Sequence, residues 1–99
     1  MVQSLQEVME ELVSVLRPDC EKYHFALSSP KYHGTQACLI VNFSNDESGG
    51  YLRIDVDDLA ITVRVGSRTF GCLVNDMGAR PTVIDTIKIE LSEEAQKVS

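Results

Sequence analysis

From Tyr51 to Val74, hydrophobic and polar side chains alternate through three short runs, the period of strands with one buried face. A two-residue turn at Asp57 and Asp58 would set Val56 opposite Leu59, Ile54 opposite Ile61 and Leu52 opposite Val63. A second at Gly66 and Ser67 would set Val63 opposite Phe70, Ile61 opposite Cys72 and Leu59 opposite Val74. A slip of one residue would turn a whole strand inside out, so the agreement of both turns predicts one antiparallel sheet. Its other face collects Arg53, Asp55, Thr62, Arg64 and Thr69, which belong in or near water.

The N-terminal pattern has a different period. Ser4 followed by Glu7 spells a capping box. Leu5, Val8, Met9, Leu12, Val15 and Leu16 then recur at helical spacing, with Glu7, Glu10 and Glu11 largely on other faces. Pro18 disfavours helical geometry at Arg17, so this helix is expected to stop near there. Residues 22–28 alternate again, with Tyr23, Phe25 and Leu27 against Lys22, His24 and Ala26, and read as a half-buried strand. Residues 28–34 read as a loop, 37–43 as a strand buried on both faces or central in the sheet, and 45–50 as an acidic, flexible loop.

Two templates compete from Thr82 onward. A strand would group Val83, Ile87, Ile89 and Leu91. A helix would group Val83, Ile84, Ile87, Leu91, Ala95 and Val98, with Pro81 in its first turn. Five strands about 4.8 Å apart make a face roughly 20–25 Å wide. One helix of about 10 Å diameter covers half of it. The pattern therefore predicts a second helix over 81–97. The expected fold is α+β: a single domain over residues 1–99, an antiparallel β-meander of about five strands, with an N-terminal and a C-terminal helix packed on one face.

Composition narrows the functional classes. The 99 residues are 43% hydrophobic and 24% charged, ordinary for a globular domain. The net charge of −6 repels a phosphate backbone, and the absence of Trp removes the best stacking platform, so direct nucleic-acid binding is not expected. The acidity suits a basic partner, such as an enzyme that itself binds nucleic acid. The helical stripe has an acidic polar side, which argues against a membrane surface. Three cysteines with no CxxC spacing, no secretory signal and no apolar run near 18 residues predict a reduced, cytoplasmic protein.

Catalytic constellations are weak. Cys20 and His24 are four residues apart across a helix-to-strand junction, which is no evidence of a dyad. Asp55, Asp57 and Asp58 form the densest acidic cluster, but turn chemistry accounts for it and no EF-hand spacing accompanies it. Neither Gly49-Gly50 nor Gly66-Ser67 resembles a phosphate loop. The sequence thus predicts no catalytic, metal or cofactor site. What remains is recognition: Lys31, Tyr32 and His33 in one expected loop, with Asp76 and Met77 in another, since aromatic and methionine side chains in loops suit protein contacts. A sheet edge offers pairing with a second copy or a peptide strand. The leading expectation is a non-enzymatic protein-binding domain, a small acidic inhibitor, antagonist or immunity-type protein of the phage or mobile-element kind. The alternative is a small-molecule or anion-binding regulatory domain, with Arg64, Arg68 and Arg80 gripping the ligand.

Overall fold

Helix α1 (Leu5–Tyr23) begins as its sequence requires: the Ser4 hydroxyl accepts the Glu7 N–H, and the Glu7 carboxylate accepts the Ser4 N–H. The computed structural model describes residues 4–43 and 50–98; residues 45–49 of the expected 45–50 loop and the side chain of Val98 lie outside the described residues. Contrary to expectation, α1 runs through Pro18. The proline removes the N–H that would bond the Ser14 carbonyl, yet both residues face water, which can take the orphaned oxygen. Cys20 continues the Leu12–Leu16 row at four-residue spacing and is buried, so packing carries the helix past the break. It closes on a Schellman motif. The Phe25 N–H donates to the Cys20 carbonyl at 2.8 Å and the His24 N–H to that of Glu21 at 3.3 Å. His24 takes the left-handed conformation (φ 61°) that glycine usually fills.

The expected strand over 22–28 therefore shrinks to β1 (Ala26–Leu27), because its first half is spent on the helix and its cap. The expected loop at 28–34 holds a strand, β2 (Lys31–His33), paired with β3 (Gln36–Asn42). Strands β1 and β2 occupy the same side of β3 and behave as one interrupted edge. At the interruption Ser28 gives its N–H to the Ile40 carbonyl and takes the Ile40 N–H on its hydroxyl, both at 2.9 Å. Pro30, which has no N–H to donate, separates the two pieces.

Beyond β3 the sheet is a meander of β4 (Tyr51–Val56), β5 (Ala60–Val65) and β6 (Arg68–Leu73), antiparallel throughout. The β5–β6 turn is as expected, Val63 opposite Phe70 and Ile61 opposite Cys72, with Gly66 at φ 59° in the first turn position. The β4–β5 register differs from the expected one by two residues. Val56 faces Ile61, Ile54 faces Val63 and Leu52 faces Val65. A two-residue turn of the common type needs positive φ at both positions, and neither Asp57 nor Asp58 has it. The Asp57 carboxylate instead accepts the Leu59 and Ala60 N–H groups at 2.8 and 2.7 Å, making a wider loop. A shift of two preserves facing, so every core residue stays inside, but Leu59 is expelled to the loop tip at 69% exposure.

One face of the sheet presents Ala37, Leu39, Val41, Leu52, Ile54, Val56, Ile61, Val63 and Val65, all buried. Against it lie Val8, Met9, Leu12 and Leu16 of α1 and Val83, Ile87 and Leu91 of α2 (Ala79–Val98). Residues 81–97 are thus helical, and two helices roof the layer that one could not. Strand β3 is central in the sheet, paired on both sides, but buried on one face rather than two: Cys38 and Ile40, on its far side, are partly exposed.

Candidate functional site

The face opposite the helices is where the sequence leaves chemistry uncovered. Cross-strand pairing assigns it Lys31 and His33 of β2, Gln36, Cys38, Ile40 and Asn42 of β3, Tyr51, Arg53 and Asp55 of β4, and Thr62 and Arg64 of β5. Cys38 and Ile40 form an apolar floor, walled by Lys31 on one side and Tyr51 and Arg53 on the other, around a shallow groove of about 320 Å³. It continues past His33 and Asp55 into a hollow of about 220 Å³. A third, of about 150 Å³, reaches Thr62 and Arg64.

Charge on this face is unevenly distributed. Among the described residues, Lys31, Arg53 and Arg64 stand against Asp55 and, at the rim beside Arg64, Asp57, so the face carries an excess of cations in a chain of net charge −6. Asp55 binds the Nε–H of Arg53 with both oxygens, at 3.0 and 3.1 Å, and this bond raises the pKa of the guanidinium. Arg64 lies directly across from Arg53, a like-charge pairing that works against the sheet.

The expected contact residues do not assemble into one site. Lys31 and His33 point to the open face, whereas Tyr32 is paired with Ala37 and points to the helix side, 49% exposed at the rim. Asp76 and Met77 sit beyond β6, at the opposite edge, about four strand spacings or roughly 19 Å away. Asp76 has a structural task there: its carboxylate accepts the Ala79 N–H at 3.0 Å at the start of α2. The Met77 sulfur lies 3.4 Å from an Arg80 nitrogen.

Nor do the three arginines of the anion-binding alternative converge. Arg80 is buried, 4% exposed, with its guanidinium 2.6 Å from the Glu11 carboxylate, tying α2 to α1. Arg68 pairs with Glu90, which α2 carries into the interior. Only Arg64 belongs to the open face.

The thiols are ill-suited to nucleophilic work. Burial, aided by Asp19 and Glu21, pushes Cys20 up to about 11, and burial also raises Cys38 and Cys72. Among the described residues, no cluster of three or more His, Cys, Asp or Glu could hold a metal ion. No helix among them is long and apolar enough to cross a membrane.

Cys38, Ile40, Asn42 and Tyr51 were the residues that sequence reasoning missed. Strict alternation within 37–43 was the signal that could have found the first two. Their apolar character hid it, because an unbroken apolar run reads as buried on both faces. No family model matches the chain, and neither a curated protein nor a solved structure matches it.

Proposed function

We propose that this chain is a non-enzymatic protein-binding domain that acts by occluding a partner, in the manner of a small acidic inhibitor or immunity protein. One observation carries the reading: both helices pack on the same face, leaving Cys38, Ile40 and Tyr51 on a face that nothing in the described chain covers. Apolar side chains ringed by charged ones are the composition of a contact surface, with a core that excludes water and a polar rim. Tyr51 supplies the rigid, amphipathic anchor that such surfaces favour. Lys31, His33 and, at the rim, Tyr32 extend the surface along the β2 edge, where the strand's free backbone groups can take a further strand. The acidic helical layer keeps the rest of the molecule soluble and selective. Three free thiols suit a reducing compartment such as the cytoplasm.

The test is affinity capture from the native cell, with the wild-type chain compared with Ile40→Asp and Tyr32→Ala on the open face and β2 edge, and with Glu10→Ala on the outer side of α1. The expected result is one partner retained by the wild type and by Glu10→Ala and lost with Ile40→Asp. Equal capture by all four chains, or no capture at all, would defeat the reading.

A further inference from the structure

We infer that the open sheet face receives an acidic, extended segment of its partner, whose apolar side chains alternate with carboxylates. The inference rests on the protein-binding reading above and specifies its chemistry. Three observations bear on it.

First, the charge is of the wrong sign for the rest of the chain. An acidic protein has set Lys31, Arg53 and Arg64 on one face, where the described carboxylates are Asp55 and, at the rim, Asp57. A second copy docking face to face would bring these cations together, and docking this face on another copy's acidic helices would be a head-to-tail contact that runs on into a ring or a filament. Charge complementarity therefore selects a different, acidic polypeptide.

Second, Arg53 and Arg64 face each other on neighbouring strands, and the sheet gains nothing from that. A local rule broken without a structural gain marks a site kept for another purpose. Asp55 takes the Nε–H of Arg53, and among the described residues the two terminal nitrogens of the fork have no carboxylate, which leaves them for one from a partner. Arg64 has no ion pair among the described residues.

Third, the shape suits a strand. The floor of Cys38 and Ile40 follows β3, bounded by Lys31 on one side and Arg53 on the other, and opens toward His33, Thr62 and Arg64. Strands of six or seven residues at about 3.3 Å per residue give a face about 20 Å long and roughly 19 Å wide. That is roughly 400 Å² in plan, half of what one side of an ordinary globular interface buries. A segment fits it better than a broad surface. Apolar side chains on one face of that segment would rest on Cys38 and Ile40, and its carboxylates would reach the flanking cations.

The test uses the full chain and three fluorescein-labelled probes followed by anisotropy: an octapeptide of alternating glutamate and leucine, its lysine–leucine counterpart, and an oligouridine. The glutamate peptide is expected to bind, to weaken as salt rises, and to lose at least tenfold in affinity with Arg64→Glu, while Glu10→Gln leaves it unchanged. Arg64→Gln is expected to lose severalfold in affinity and to melt at or above the wild-type temperature, which separates lost binding from lost folding. No binding of the glutamate peptide, tighter binding of either other probe, or indifference to both Arg64 variants would overturn the inference. A native partner that docks on this face through a basic segment would sink the inference and leave the protein-binding reading standing. Failure of the native capture described above sinks the reading itself.

Discussion

Gly71 lies on the open face of β6, directly across from Thr62. Two explanations for a glycine there predict opposite results on substitution: room for a ligand, or room for a neighbouring strand. The geometry favours the second. A Cβ on Gly71 would run into the Ile61 carbonyl oxygen, with the Ile61 carbonyl carbon and the Thr62 Cα both at 3.1 Å. These are backbone atoms of a paired strand, so they cannot swing aside as a side chain would. Gly71→Ala must push β5 and β6 apart locally. Overpacking of this kind costs about 1–3 kcal/mol. Weakening one ladder hydrogen bond adds about 1 kcal/mol. Alanine returns about 0.4–1 kcal/mol by restricting the unfolded chain. The net is a loss of about 1–3.5 kcal/mol, or a fall in melting temperature of roughly 5–25 °C for a domain of this size. Thermal unfolding followed by circular dichroism measures it. A variant that melts with the wild type would refute the close approach of the strands, and one that also lost partner binding would show that the glycine serves the ligand.

Pro18→Ala should stabilise the domain by about 2–3 kcal/mol, because it restores the bond to the Ser14 carbonyl in an exposed part of α1; urea unfolding with a lower midpoint than wild type would contradict a helix that passes through Pro18. Cys20 should resist alkylation, since a thiol with a pKa of about 11 is ionised in only about one molecule in a thousand at pH 8; modification as fast as that of a free thiol would show it exposed. Hydrogen bonds from the Ala60 and Leu59 N–H groups lower the pKa of Asp57. Its folded-state pKa is below the unfolded one, so its contribution is present above about pH 4 and lost as pH falls through the folded value. The wild type should therefore melt above Asp57→Ala at pH 7, with the gap narrowing as pH falls below about 4; a gap independent of pH would remove the charge from the explanation.

The fold was legible wherever a pattern depends only on period. The Ser4–Glu7 box, the Leu12–Leu16 row and the parity of β4 through β6 follow from spacing, and each holds. The breadth of five strands demanded a second helix, and α2 supplies it from Ala79 to Val98. What failed depended on local energies outvoted by packing. Pro18 ought to end α1, but Cys20 and Phe25 bury enough beyond it to hold the chain helical. Asp57 and Asp58 look like a tight turn, yet neither takes positive φ, and the Asp57 carboxylate stitches a longer loop instead. The two-residue slip was invisible because parity cannot distinguish registers two apart.

The candidate site was less legible than the fold. Lys31, His33 and Arg64 could be named as polar and available, but not that β2 and β5 turn them to the same side. That placement needs the edge pairing of β2 with β3, which the Ser28–Pro30 interruption conceals. Arg68 and Arg80 show the converse: from sequence they are free cations, and in the fold they hold Glu90 and Glu11.

The central claim is that a partner docks on the uncovered sheet face and not on the helices. Photo-crosslinking in the native cell tests it most directly, with benzoylphenylalanine replacing Tyr51 on the open face in one chain and Ile89 on the outer side of α2 in another; both positions are more than half exposed. The account predicts a partner adduct from position 51 and none from position 89. An adduct from position 89 alone would contradict it.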